Sequence, residues 1–322
     1  MATPMRVLLH NDETEALEAA IGSRFPAIEL ATCHSYAELP GVLSRLRPEV
    51  VYSVRFDGTP DFPRAALFGT HGPRWISNGG VGTDHFGHWD PDAVTITNAA
   101  GVAADMMAEY VFGGFLHFTL DVPGLVADKA RKHWAPRKVR PLKGQTLLIV
   151  GLGQTGHAIA RRARAFGMKV LATRANPVES DVVDEVHSAD ALSRVLPRAD
   201  FIVVATPLID RTRGLLGQAE FAAMKDGVIL ADVSRGGVVD QSALLAALER
   251  GKVGGAVLDV FEVEPLPKGS PLWTQDNVVI SPHCSSVYDG WEMASFEMFL
   301  DNLQRWIDGT PLCNVVDPVR GY

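Results

Sequence analysis

The chain has 322 residues, 47% of them hydrophobic and 21% charged, with a formal net charge of −8. That length favours two domains over one, and the balance is ordinary for a globular protein in water. The acidic sign argues against a sequence-independent nucleic-acid binder, and no apolar run is long enough for a bilayer.

In chain order, Arg6–Leu9, Val50–Ser53, Trp75–Ser77 and Val94–Thr97 read as strands, with helical stretches at Ala16–Arg24 and Ser35–Arg45. A helical region follows from about Ala103 to His133, with Met106, Met107, Tyr110, Val111 and Phe115 on a face turned to the core or to a second subunit. Pro136 to Lys143 is a basic, proline-containing connector. Beyond it the alternation is cleaner: strand Thr146–Val150, helix Gln154–Phe166, strand Lys169–Thr173, a helix near Ser188–Leu196, strand Phe201–Ala205 and a helix near Gln218–Met224. Strand Val228–Ala231, helix Gln241–Arg250 and strands near Gly255–Leu258 and Val278–Ile280 complete it. Alternating strands and helices predict an α/β protein with parallel sheets. The opening residues Met1 to Arg6 lack the apolar stretch of a signal peptide. Cys33, Cys284 and Cys313 are odd in number and lack metal-ligand spacing, which reads as reduced thiols in a cytoplasmic protein.

Gly151-Leu152-Gly153-Gln154-Thr155-Gly156 fits G-x-G-x-x-G. The match gains meaning from context, because it follows an apolar strand and opens a helix, as a dinucleotide-binding turn must. Gly151 permits the tight turn, Gly153 the approach of a pyrophosphate, and Gly156 close helix–strand packing. The helix amino end offers free N–H groups and partial positive charge to phosphates. At the end of the next strand, where NAD-binding units place a carboxylate for the ribose 2′-hydroxyl, stand Thr173 and Arg174. A guanidinium suits a 2′-phosphate, so NADP is expected in preference to NAD. The alternative is that Arg174 stacks on the adenine and NAD binds equally well.

Arg235, Glu264 and His283 each stand just past the end of a predicted strand. In an open parallel sheet, ligands bind outside the carboxyl ends of the strands, so three loops could bring a cation, a carboxylate and an imidazole together. Histidine can give and take a proton near neutrality. A carboxylate on its other ring nitrogen favours the imidazolium. Glu262 reads as a surface or supporting residue. His85 and His88 read as ordinary polar residues, and no metal site is expected.

These motifs together resemble the D-isomer-specific 2-hydroxyacid dehydrogenases over nearly the whole chain. Gly80-Val81-Gly82-Thr83-Asp84, Asn98-Ala99-Ala100-Gly101 with Ala108-Glu109, Lys143 to Leu147, and Thr206-Pro207-Leu208 with Thr212 all carry the likeness. So do Ser234 to Asp240, Leu258 to Pro265, Ser281-Pro282-His283, Asn314 to Asp317 and Gly321-Tyr322. The resemblance implies two Rossmann/flavodoxin-like parallel-sheet domains with an interdomain cleft. Residues 1–100 and 288–322 would form a discontinuous substrate domain, and residues 101–287 the dinucleotide-binding domain. It implies a homodimer through the region near residues 103–133, no membrane or nucleic-acid partner, and reversible reduction of a small 2-oxo acid by NAD(P)H. The product would be the D-2-hydroxy acid, with glyoxylate or hydroxypyruvate as the kind of substrate.

By the same resemblance, His283 is the proton donor, Glu264 its partner and Arg235 the anchor of the substrate carboxylate. Gln154, Thr155, Thr206, Pro207, Thr212, Val233 and Ser234 join the glycine turn, Thr173 and Arg174 at the cofactor, and Asp259 orients the nicotinamide carboxamide. The N–H groups of Val81 and Gly82 hold the carboxylate, and Arg55 approaches the substrate side chain. Two other readings stand beside this one. Phosphite oxidation is compatible with the trio, whereas formate dehydrogenases of similar fold carry Gln in place of Glu264. A nicotinamide-sensing corepressor or scaffold would also retain the trio; an end at Tyr322 without a disordered tail favours a metabolic enzyme.

Overall fold

The computed structural model describes residues 4–54 and 62–320. Arg55, Gly321 and Tyr322 lie outside the described residues. Two compact units are present: one comprises Met1–Val102 with Asp289–Tyr322, the other Ala103–Tyr288.

The first unit is built from β1 (Arg6–His10), α1 (Glu15–Arg24), β2 (Glu29–Cys33), α2 (Leu39–Leu46), β3 (Val50–Ser53), α3 (Arg64–Leu67), β4 (Trp75–Asn78) and β5 (Thr95–Thr97). Its sheet is parallel in the order β2-β1-β3-β4-β5, the flavodoxin-like winding. Alternate residues feed opposite cores, as a sheet covered on both faces requires. Val7 and Leu9 join Leu17 and Ile21 of α1 and Phe296, Phe299 and Leu303 from the chain's last helix. Leu8 joins Leu39, Val42 and Leu43 of α2. The segment around Val315 returns to the free edge of β5, where Thr97 and Val315 form an antiparallel bridge.

The second unit opens with α4 (Ala104–Thr119) and α5 (Val122–Ala130) and continues through β6 (Thr146–Val150), α6 (Gln154–Ala165), β7 (Lys169–Arg174), β8 (Glu185–Ser188), α7 (Leu192–Val195), β9 (Phe201–Val204), α8 (Gln218–Ala223), β10 (Val228–Asp232), α9 (Gln241–Glu249), β11 (Val253–Leu258) and β12 (Val278–Ile280). In the first unit α10 (Trp291–Asp308) is the final helix. The seven parallel strands run β12-β11-β10-β9-β6-β7-β8. Strand order therefore reverses at β6, the switch point at which dinucleotides bind such sheets. Leu147 and Ile149 face α4 and α6, while Leu148 and Val150 face α7, α8 and α9.

The long helical stretch expected over residues 103–133 is divided. Asp121 takes a left-handed backbone, accepts from the Gly124 N–H at 3.2 Å and caps α5, and the two helices meet at a 59° bend. No single helix among the described residues is long and apolar enough to cross a membrane. Ser188, expected to begin a helix, instead ends β8. That edge strand and β2 lack a continuous apolar run, because each is only partly buried.

Candidate active site

The glycine turn sits where β6 gives way to α6. Gly151 has φ +105°, and a Cβ there would lie 2.5 Å from the carbonyl oxygen of Ala205, just past β9. A side chain is therefore excluded at the switch point itself. The N–H groups of Gly151 and Leu152 donate to the Thr173 carbonyl at 3.0 and 3.2 Å, which ties the turn to the end of β7. A Cβ on Gly153 would meet nothing within 4 Å, and no side chain caps α6. Internal packing thus makes no demand for glycine at 153, whereas close approach of a phosphate group does. The uncapped helix end supplies donors for the same group. On this observation the residues present fit a dinucleotide. Gln154 is exposed and Thr155 half-buried in the first turn of α6, Thr173 is buried, and Arg174 is half-buried as the last residue of β7. Further along, the Thr212 hydroxyl donates to the Pro207 carbonyl at 2.6 Å and accepts from the Ile209 N–H at 2.8 Å, closing the loop that follows Thr206. Val233 and Ser234 are buried beyond β10.

The loops after β10, β11 and β12 carry the trio, all within the second unit. His283 Nδ1 lies 2.8 Å from Glu264 Oε2. An ionised carboxylate only accepts, so Nδ1 carries the proton and Nε2 is the ring nitrogen left for chemistry. Glu264 Oε1 accepts from the Phe261 N–H at 2.9 Å, which fixes the carboxylate in turn. Burial pushes the Glu264 carboxyl up. The hydrogen bonds from His283 and Phe261, with the charges of His283 and Arg235, outweigh it and hold the group below the usual carboxylate range. Arg235 Nη1 donates to the Ser234 carbonyl at 2.8 Å. Its loop lies against residues 261 and 262, because a Cβ on Gly236 would fall 1.8 Å from the Phe261 carbonyl oxygen. Only glycine allows that approach. The neighbouring Glu262 accepts from the Gln241 N–H at 2.9 Å, so it caps α9 alongside Asp240.

Asp259, at the end of β11, is 2% exposed. Its Oδ1 accepts from Ser281 Oγ at 2.5 Å, the Cys284 N–H at 2.8 Å and the Ser285 N–H at 3.1 Å, and its Oδ2 from Ser285 Oγ at 2.5 Å. The carboxylate expected to orient a nicotinamide carboxamide also clasps the loop that bears His283. Asp232 lies beside it at the end of β10, fully buried and accepting from both the Ser234 hydroxyl and N–H. Burial above all, with the Asp259 charge, pushes the Asp232 carboxyl up to about 7 against the Ser234 hydrogen bonds and the Arg235 charge.

In the first unit, the loop after β4 holds Val81 and Gly82. Asn78 Nδ2 donates to the carbonyls of Gly80 and Gly82 at 2.9 and 3.0 Å, and Asn98 Nδ2 to that of Val81 at 2.8 Å. Val81 is 43% exposed. No described residue accepts from the N–H groups of Val81 or Gly82. His85 packs edge-on against Phe62, in keeping with an ordinary structural role. In the sequence, Asn78 and Ser285 drew no notice, and the hydroxyls of Ser281 and Tyr110 had no assigned role. Asn78 and Ser285 stand beside the Gly80–Asp84 and Ser281–His283 motifs, Ser281 is part of the latter, and Tyr110 stands among the apolar residues of α4.

The stretch that carries the turn and the imidazole–carboxylate pair is similar to known proteins. The profile of the D-isomer specific 2-hydroxyacid dehydrogenase NAD binding domain matches residues 115–285. A D-3-phosphoglycerate dehydrogenase from Methanocaldococcus jannaschii is 31% identical over 96% of this chain and 58% of its own. This chain therefore spans little more than half the length of that relative. Among solved structures, a D-isomer specific 2-hydroxyacid dehydrogenase family protein from Aeromonas salmonicida is 31% identical, with a TM-score of 0.85 over 98% of this chain and 100% of the other. An NADPH-dependent glyoxylate/hydroxypyruvate reductase from Sinorhizobium meliloti, solved with NADP and sulfate, is 28% identical, with a TM-score of 0.81 over 99% and 100%. With its profile match, its sheet order and its relatives in agreement, the chain belongs to the D-isomer-specific 2-hydroxyacid dehydrogenase family.

Proposed function

We propose that the protein is an NAD(P)-dependent oxidoreductase that reversibly reduces a small 2-oxo acid, of the glyoxylate or hydroxypyruvate kind, to the D-2-hydroxy acid. The observation that carries this reading is the 2.8 Å contact between His283 Nδ1 and Glu264, which leaves Nε2 as the nitrogen that gives or takes a proton. The nicotinamide, when bound, supplies the hydride to the carbonyl carbon. His283 Nε2 delivers a proton to the carbonyl oxygen as negative charge develops there, and takes it back in the reverse direction. Glu264 stabilises the imidazolium. Arg235 holds the substrate carboxylate and draws charge toward the carbonyl oxygen. The N–H groups of Val81 and Gly82, whose carbonyls are engaged by asparagine amides, suit an anionic group.

Gly151, Gly153, Gln154, Thr155 and Gly156 would hold the cofactor's diphosphate, with Thr206, Pro207, Thr212, Val233 and Ser234 alongside it. Thr173 and Arg174 would meet the adenosine end. Arg174 favours NADP, in line with the NADPH dependence of the S. meliloti relative. Leu125, Val126 and Trp134, the last 92% exposed, support a homodimer through the region near residues 103–133. The odd cysteine count supports action in the cytoplasm.

Steady-state rates with glyoxylate, hydroxypyruvate and phenylpyruvate, each with NADH and NADPH, test the proposal. Turnover is expected with at least one acid, with kcat/KM about tenfold higher for NADPH. His283→Ala should lower kcat by about 10³-fold. Absence of turnover with every 2-oxo acid would end the enzymatic reading. Equal efficiency with both cofactors would remove the role given to Arg174.

A further inference from the structure

We propose that Tyr110 is a positioning residue for proton transfer: its hydroxyl, acting through Ser281 and Asp259, holds the turn that carries His283. This rests on the reading of His283 as the proton donor.

The turn needs holding. His283 has φ +53°, in the left-handed region that a side-chain-bearing residue occupies at a cost and keeps only where its surroundings over-determine it. The surroundings here converge on one residue. The His283 N–H donates to the Asp259 carbonyl at 2.9 Å, and the next two N–H groups, of Cys284 and Ser285, donate to the Asp259 carboxylate. Ser285 Oγ and Ser281 Oγ donate to it from either side of the histidine. Residues on both flanks of His283 are thus tied to a single buried carboxylate, by the Ser281 hydroxyl on one side and by backbone and side-chain donors of Cys284 and Ser285 on the other.

Tyr110 stands behind that carboxylate. It projects from the middle of α4, and its hydroxyl lies 2.6 Å from Ser281 Oγ. The direction of this contact follows from bookkeeping of protons. Ser281 spends its hydroxyl proton on Asp259, which as a carboxylate can only accept, so Ser281 must accept from Tyr110. The result is a one-way chain, Tyr110 O–H to Ser281 O–H to Asp259, in which each bond polarises the next. Burial first, and the Asp259 charge after it, push the Tyr110 hydroxyl up to about 12 despite the Ser281 hydrogen bond, so it remains a donor across the working range of pH. Tyr110, Ser281, Asp259, Glu264 and His283 all lie in the second unit.

A tyrosine that merely fills space would lose nothing on replacement by phenylalanine. Tyr110→Phe, assayed in the full chain with the 2-oxo acid and NADPH, is therefore the first variant. We expect kcat to fall about tenfold with KM for the 2-oxo acid within about twofold, since one hydrogen bond to the positioning network is lost. The pH above which kcat/KM for reduction declines should move down, because a looser Glu264 contact supports the imidazolium less. Ser281→Ala should reproduce both changes, and Ser281→Thr, which keeps the hydroxyl, should restore wild-type values. The double variant Tyr110→Phe/Ser281→Ala should be no worse than either alone, because both act through one chain. His283→Ala is measured beside them. If it turns over like the wild type, the proton-donor reading fails and this proposal with it. If it is inactive while Tyr110→Phe keeps the wild-type kcat and pH profile, or while the two single losses multiply, the positioning role alone is refuted.

Discussion

In the first unit, the loop after β4 is held by amides that donate: Asn78 and Asn98 take the carbonyls of Gly80, Val81 and Gly82. In the second, the loop after β12 is held by a carboxylate that accepts: Asp259 takes backbone and hydroxyl donors from Ser281, Cys284 and Ser285. Opposite polarity of the clasp leads to opposite displays. Engaging the carbonyls leaves the backbone N–H groups as the display, which requires no particular side chain at Val81. Engaging the N–H groups goes with a left-handed turn whose projecting side chain, His283, is the display. A clasp of the first kind should govern binding, and one of the second kind the chemical step.

The largest effect that would test this division is on Arg235, the charged group of the second unit proposed to hold the substrate carboxylate. Arg235→Ala should cost about 10³-fold in kcat/KM, as expected when a cation is removed from developing negative charge; a loss below about tenfold would take Arg235 out of the site. Asn98→Ala sharpens the comparison from the other side. Freeing the Val81 carbonyl should raise KM for the 2-oxo acid about tenfold with kcat within about threefold, and a dominant fall in kcat would abolish the contrast between the clasps.

The smallest effect concerns stability. The Asp232 carboxyl titrates at about 7 in the folded protein against 3.8 for the ordinary group. The unfolded chain therefore loses this proton first. The folded state is not penalised below pH 3.8, loses stability as the pH rises to about 7, and loses no more above it. Asp232→Asn keeps an oxygen for the Ser234 donors and should raise Tm by about 3–6 °C at pH 8, with the gain vanishing near pH 4. A gain that is the same at both pH values would show that ionisation of Asp232 is not its source.

Much of the fold was legible because it rests on local pattern. Apolar runs such as Leu147 to Val150 and Phe201 to Val204 are strands buried on both faces, which need no partner information to be seen. The edge strands Glu29–Cys33 and Glu185–Ser188 were not legible, because a strand with one neighbour and partial burial has no reason to be apolar. The break between α4 and α5 had a local signal, Asp121 as cap ahead of Pro123 and Gly124 in the first turn of α5, but the apolar residues on either side of it read as one continuous helix. Within the candidate site, the pairing of Glu264 with His283 was anticipated, and the geometry places them 2.8 Å apart. The engagement of Asp259 by the 281–285 loop was not, because a buried aspartate and a serine 22 residues later carry no spacing rule.

By itself, the sequence determined what depends on neighbours along the chain: the alternation of strands and helices, the glycine turn between β6 and α6, and the residue types at the strand ends. Glycine at 151 follows from a backbone with φ +105°, and parallel strands from their apolar runs, so both are written locally. Tertiary structure alone decided which atoms meet. Tyr110 and Ser281 are 171 residues apart, yet their oxygens lie 2.6 Å from each other. Hydrogen bonding acts over a few ångströms of space, and distances of that order between remote residues exist only once the sheet and its helices have packed.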